Sequence, residues 1–310
     1  MRIVIALGGN ALLRRGEPMT PAAQRRNVRD AAAQLASVAP GNELVIVHGN
    51  GPQVGLLAAL SQNTPPAQRF SLDVLDAQTE GMIGYLIELE LRNRLGDARA
   101  CATLLTMVEV NAADPAFARP DKPVGAILTH DEANAAARAN GWRIAADGNG
   151  FRRVVPSPAP QRFLQIDAVQ ALLARGTVVI CAGGGGIPVV RTQSGQHDGV
   201  EAVVDKDRSA ALLAHEIAAD LFVIATDVDG VYLDWGTARA RRVRQAHPDA
   251  LAAYGFAAGS MGPKVEAASE FARRSGRRAT IGALSDIARL VQDTAGTSVL
   301  TSETGAEPVS

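Results

Sequence analysis

Four short apolar runs, rich in β-branched residues, each pass straight into a glycine-rich or Asp/Gly turn. Residues 3–7 (IVIAL) meet Gly8-Gly9-Asn10, and residues 43–47 (ELVIV) meet His48-Gly49-Asn50-Gly51-Pro52. Residues 177–181 (TVVIC) precede the glycines 183–186, and residues 221–225 (LFVIA) end at Thr226-Asp227-Val228-Asp229-Gly230. Runs this short and continuously apolar read as strands buried on both faces, the condition of a parallel sheet covered by helices. Helical patterns fall between them. Thr20-Pro21 supply an N-cap and a first-turn proline for a helix to about Val38, and others are expected over 73–95, 208–217 and 263–274. A third strand is expected over 100–108. The alternation predicts a doubly wound α/β fold.

Residues 119–162 interrupt this rhythm with several prolines, a Gly-Asn-Gly at 148–150 and short alternating pieces such as 151–155. They read as an inserted subdomain or lid, and the α/β rhythm returns at Ile166 without a linker. A length of 310 residues suits one large domain or two modest lobes and buries enough core to need no disulfide or structural metal. Basic and acidic residues balance at 31 and 32, which speaks against holding nucleic acid or an acidic membrane by bulk charge. Two cysteines and five histidines fit no zinc spacing, and a reducing compartment is the simplest setting for them. The apolar start is broken at Gly8, below the length of a signal-peptide core, and no apolar run approaches ~20 residues. A cytoplasmic protein is expected, with no membrane and no nucleic-acid partner.

Of the 31 basic residues only Lys122, Lys206 and Lys264 are lysine. A chain that elsewhere uses arginine for positive charge keeps lysine where a compact ammonium is needed and a planar guanidinium fails. All three lie in segments dense in Gly, Pro or Asp. Lys206 is flanked by Asp205 and Asp207, which suits a charge held ready for phosphate. Lys264 stands at a helix start, where the dipole disfavours a cation unless an anion joins it. Lys122 sits at the root of the lid.

Ligands of an open parallel sheet collect beyond the carboxyl ends of its strands. Several glycine turns on that one edge let backbone N–H groups approach an anion, and together they describe a site for a ligand with more than one phosphate. The P-loop motif and the protein-kinase motifs are absent, and Gly49–Gly55 has the wrong spacing for a dinucleotide fingerprint. His48 borders a glycine turn, where a structural hydrogen bond is the favoured role over proton transfer.

The runs IVIALGGNAL, HGNGPQVG, EGMIGYL, KPVG, GGGGIPV, EAVVDKD, ATDVDGVYLDWG and AGSMGPKVEAA resemble, in order and over nearly the whole chain, the carbamate kinases of the amino-acid kinase family. The resemblance implies an open αβα sandwich with a mainly parallel sheet and a small protruding lid, ATP with Mg²⁺, and a homodimer. It implies a carbamate- and phosphoryl-binding lobe over 1–200, with the lid at about 119–162, and a nucleotide lobe over 201–310. Gly8, Gly9, Asn10, Gly49, Asn50 and Gly51 would cradle carbamate and the transferring group. Lys122 and Lys206 would neutralise that group, Asp207 would orient Lys206, and Lys264 would hold the ATP phosphates. Thr226, Asp227, Tyr232 and Met261 would border the nucleotide, and the metal ligands are not specified. Relatives such as acetylglutamate kinases carry a lysine where this chain has Ala6. Thr79-Glu80 depart from the more neutral pair expected before Gly-Met-Ile-Gly-Tyr, on a helix that could form a dimer contact. The competing readings are another acid acceptor on the same fold and a non-catalytic nucleotide sensor.

Overall fold

The run IVIAL forms the strand Arg2–Leu7 near the middle of a ten-stranded sheet, flanked by the parallel strands Glu43–His48 and Leu221–Thr226. The computed structural model describes residues 1–13, 16–61, 64–257, 259–302 and 306–308. From the first strand the sheet continues one way through Glu43–His48 and Val178–Ile180 to Cys101–Thr103, all parallel. The other way it runs through Leu221–Thr226 and Arg278–Ala283 to the antiparallel Thr297–Val299, with Arg241–Ala246 and Tyr232–Leu233 beyond.

Alternate residues of each strand feed opposite layers. Val4, Ala6, Val45, Val47, Phe222 and Ile224 pack with Leu213 of the helix Lys206–Glu216 and Phe271 of the helix Met261–Ser275. Ile3, Ile5, Leu7, Leu44 and Ile46 pack instead with Val28 and Leu35 of Pro21–Val38 and with Ile83 and Ile87 of Leu72–Leu95. Each fully buried side chain of this size contributes about 1.5–3 kcal/mol, so both faces are strongly committed to their layers. Thr20 caps its helix as expected, its hydroxyl accepting from the Ala23 N–H at 3.2 Å with Pro21 in the first turn.

Register places the turns. Leu7 lies opposite His48 on one side and Ala225 on the other, so the Gly8, Gly49 and Thr226 turns leave the sheet side by side. The chain over 100–108 is not one strand. Cys101–Thr103 belongs to the main sheet, whereas Met107–Val110 joins a second sheet with Ile187–Arg191, His197–Gly199 and Pro160–Phe163. Thr106 makes the break: its hydroxyl folds back onto the Leu104 carbonyl at 3.0 Å and its N–H bonds to Glu80 at 3.1 Å. Within 119–162, the strands Lys122–Leu128, Gly150–Val155 and Arg143–Asp147 form a separate antiparallel sheet with the helix His130–Asn140.

Candidate active site

The helix that follows Val203-Val204 begins at Lys206, two residues before its sequence-based start. Asp205 is its N-cap, one carboxylate oxygen accepting from the N–H groups of Asp207 and Arg208 at 3.0 and 3.2 Å. Its other oxygen takes the Lys122 ammonium of the lid at 2.8 Å. Asp207, one residue into the helix, is shared by two cations, Lys206 at 2.6 Å and Lys264 at 2.9 Å. Lys264 reaches it from the first turn of Met261–Ser275, which starts two residues before Pro263 because a first-turn proline has no N–H to satisfy. The three lysines of the chain, remote in sequence, thus meet on two aspartates at one helix start.

Their charges are tightly coupled. Burial alone would push the Asp207 carboxyl up, but the ammonium groups of Lys206 and Lys264 outweigh it and hold the acid well below the usual range. Burial, helped by the Lys264 charge, lowers the Lys206 ammonium from its ordinary value against the opposing pull of Asp207. Asp205 is held low by Lys122 in spite of burial. Three ammonium groups against two carboxylates leave a net positive centre, which an anionic phosphoryl group would balance.

The glycine turns close around this centre. The Gly8 N–H bonds to the Ala225 carbonyl at 2.8 Å and the Gly49 N–H to the Leu7 carbonyl at 3.2 Å, tying both turns to the strand ends. A side chain at Gly49 would stand 3.3 Å from the Gly9 backbone, so glycine lets these two turns lie close, with the Lys206 stem passing in ordinary contact at 3.8 Å. Asn50 is buried beside them, its amide donating to Asp76 at 3.0 Å and to the Thr79 hydroxyl at 2.9 Å. Gly51 opens the helix Gly51–Ser61. The Asn10 backbone lies in the single turn Gly9–Leu12, while its side chain is outside the described part of the structure.

Among the residues expected at the nucleotide, Thr226 ends its strand beside Gly8 and donates to Asp227 at 3.1 Å. Met261 begins the helix that carries Lys264. Tyr232 stands further along the sheet edge, its hydroxyl on Asp229 at 2.9 Å and its ring edge-on to the exposed Trp235 at 5.0 Å.

Other residues singled out in the sequence sit around this centre in structural roles. His48 is buried with Nδ1 at 3.2 Å from the Gly49 carbonyl, and burial pulls its imidazole down to about 4. It is neutral near pH 7 and fixes the turn. Thr79 and Glu80, the pair that departs from the expected neutral one, are fully buried within their own chain. Met82 and Tyr85 of the same helix face outward instead. The glycines 183–186 were expected to offer N–H groups to phosphate. Three of those groups bond inward, Gly183 to Glu80, Gly185 to Ala182 and Gly186 to Gly183. Among the described residues no group of three or more His, Cys, Asp or Glu is placed to hold a metal ion, and no helix is long and apolar enough to cross a membrane. A cavity of about 670 Å³ lies at the other, amino end of the strands, between Arg2, Glu43, Arg99 and Asp220, away from the lysines.

Comparison with known proteins agrees with this arrangement. The profile of the amino acid kinase family matches residues 1–283. The chain is 54% identical over 299 residues to the carbamate kinase of Haemophilus influenzae, covering 96% of each, and 49% identical to that of Rhizobium meliloti, covering 97% of this chain and 94% of the relative. The solved structure of the Giardia lamblia carbamate kinase bound to AMP-PNP superposes with a TM-score of 0.88 at 34% identity, over 96% of this chain and 98% of that one. With three lysines gathered on Asp205 and Asp207 beneath paired glycine turns, the chain belongs to the amino acid kinase family and, within it, to the carbamate kinases.

Proposed function

We propose that this chain transfers a phosphoryl group reversibly between ATP and carbamate, giving ADP and carbamoyl phosphate. The observation that carries the reading is the meeting of Lys122, Lys206 and Lys264 on Asp205 and Asp207, against the Gly9 and Gly49 turns. Phosphoryl transfer passes through a loose transition state whose charge spreads over the equatorial oxygens, so it asks for positioned cations and donors. Toward carbamoyl phosphate, an oxygen of carbamate attacks the γ-phosphorus and ADP leaves. In reverse, a β-phosphate oxygen of ADP attacks the phosphoryl group and carbamate leaves. Carbamate is already anionic, so no base has to remove a proton, in keeping with a neutral His48 turned onto a carbonyl.

Lys206 and Lys122 neutralise the moving group, Asp207 holds Lys206 and Lys264 apart at fixed distance, and Lys264 faces the ATP phosphates. The turns at Gly8, Gly9, Gly49, Asn50 and Gly51 approach the carbamate and phosphoryl oxygens, and Asn10 belongs to the same turn by sequence. Thr226, Asp227, Tyr232 and Met261 border the nucleotide. Magnesium enters with ATP as part of the substrate. Magnesium usually keeps several of its waters and leans on substrate phosphates. A homodimer formed through the outward apolar face of Met82, Tyr85 and Leu105, in the cytoplasm, completes the reading. The two unpaired, buried cysteines suit that compartment.

The acceptor distinguishes this reading from its nearest rival. Ala6, where other family members carry a lysine, is fully buried between Val47 and Ile224, so the charge comes from Lys206 and the lid. Incubation with carbamoyl phosphate and ADP should yield ATP. ATP formation from an acyl phosphate such as acetylglutamyl phosphate, with none from carbamoyl phosphate, would replace this assignment by another acid acceptor.

A further inference from the structure

One face of the helix Leu72–Leu95 carries Asp76, Thr79 and Glu80, all buried and all directed at loops that follow sheet strands. Asp76 and Thr79 hold the Asn50 carboxamide. Glu80 uses both of its oxygens on backbone, one accepting from the Gly183 N–H at 2.8 Å and the other from the Thr106 N–H at 3.1 Å. The Thr106 hydroxyl accepts in turn from the Ala182 N–H at 3.0 Å. The start of the glycine loop is therefore anchored to this helix from two directions.

The loop itself acts as a spacer. Gly184, Gly185 and Gly186 adopt φ of +70°, +107° and +88°, a region that side chains rarely enter. A Cβ on Gly184 would run into the Asn50 carboxamide, and one on Gly185 into the Val204 carbonyl, just ahead of Asp205. Ser209, on the helix opened by Lys206, donates its hydroxyl to the Gly185 carbonyl at 2.6 Å. One side of the loop thus bears on Asn50 and the other on the segment that sets Lys206, with no side chain between to absorb a shift.

We propose that Glu80 is a positioning residue for phosphoryl transfer: by anchoring Gly183 and Thr106 it fixes the glycine loop as the spacer that sets Asn50 against Lys206. The inference rests on the roles given above to Asn50 and Lys206. Burial pushes the Glu80 carboxyl up to about 8, against the opposing pull of its two backbone N–H donors. Glutamine, which keeps an acceptor for Gly183, is the conservative substitution. Leucine, of similar bulk with no acceptor, is the disruptive one.

The experiment compares Glu80→Leu and Glu80→Gln in the full chain, with turnover of carbamoyl phosphate and ADP measured beside amide hydrogen exchange. For Glu80→Leu, kcat should fall about 10²-fold, the scale of a 1 Å misplacement of reacting groups, with KM for ADP changed less than about twofold. Exchange should quicken in residues 48–53 and 181–187 and stay unchanged in 221–226. Glu80→Gln should recover at least about tenfold of the lost kcat. Thr106→Val, which deletes the acceptor for Ala182, should give a milder version of the same pattern and carries the test if Glu80→Leu does not fold. Wild-type kcat in Glu80→Leu, equal losses in both Glu80 variants, or exchange that rises uniformly along the chain would each overturn the proposal. A wild-type chain inert toward carbamoyl phosphate and ADP would overturn the functional assignment instead, and the exchange pattern would then decide the anchoring alone.

Discussion

In the central sheet the strand Arg2–Leu7 buries every residue after the first, whereas in the lid sheet Arg143–Asp147 buries none and Lys122–Leu128 buries Val124 alone. The two lysines assigned to the moving phosphoryl group divide along this line. Lys206 begins a helix with seven buried residues, wedged between the sheet and Met261–Ser275, and its side chain is 11% exposed. Lys122 stands on the lid, 35% exposed, and pairs with Asp205 of the frame at 2.8 Å. A segment with few buried apolar contacts opens at a lower free energy than the core it leans on. On the proposed roles, the frame would fix one charge at the phosphoryl group, and the lid would bring a second that withdraws when product leaves.

The contrast can be broken first through stability. Phe271 packs on Phe222 with ring centroids 5.6 Å apart, both fully buried, so Phe271→Ala should cost about 3–5 kcal/mol in denaturant unfolding of the whole chain. Val124→Ala, in the small cluster under the lid, removes about two methylene equivalents and should cost about 1.5 kcal/mol. Its effect should appear as faster hydrogen exchange in 122–155 before any shift of the main transition. Equal global losses would mean that lid and frame unfold as one unit.

Activity sharpens it next. Lys206→Arg keeps the charge, yet a guanidinium must fit where Nζ lies 2.6 Å from Asp207 and the stem passes Gly49, so turnover should fall ~10²–10³-fold. The same change at Lys122, on a lid that can shift to accommodate the fork, should cost only about tenfold. Rates with carbamoyl phosphate and ADP, at matched thermal melting, measure both. Equal losses would show that the lid holds its lysine as rigidly as the frame does.

Legibility followed the range of the interactions. The buried strands around Arg2–Leu7 were readable because they are short apolar runs ended by glycine or Asp/Gly turns, and the helix at Thr20-Pro21 because its cap is local. The break at Thr106 was hidden by Leu104 and Leu105, which keep the run apolar across the change of sheet. The lysines stood out against an arginine-rich background, but nothing near Lys122 names Asp205, its partner 83 residues away. Thr79 and Glu80 stand out only as a polar departure from a neutral pair, and nothing in the sequence ties them or Asp76 to the site. Their burial depends on Asn50, Thr106 and Gly183, which only the fold brings to them. The glycines 183–186 misled for the complementary reason. Their composition signals close approach, and the neighbour approached is protein.

The smallest expected effect concerns the latch between lid and frame. The Lys122–Asp205 ion pair, with its lysine about a third exposed and its aspartate mostly buried, should contribute about 1 kcal/mol, so Lys122→Ala should barely move the melting temperature. It should raise exchange in residues 122–155 about fivefold, the factor that ~1 kcal/mol supplies, while residues 2–7 stay as they were. Acid should act in the same direction. Lys122 holds the Asp205 carboxyl below its ordinary value in spite of burial, so the pair contributes fully above the unfolded carboxylate value of about 3.9. That contribution is lost as pH falls through the depressed folded value, and raising the pH from 6 to 8 leaves it intact. Adding ADP with carbamoyl phosphate should slow exchange in 122–155 of the wild type, because the lid lysine then has phosphoryl oxygens to hold as well as Asp205. Protection that is the same with and without ligands, and unaltered by Lys122→Ala, would make the lid a rigid insert. Lys122 would then be a fixed cation like Lys206, and the contrast between the two regions would lie in their burial alone.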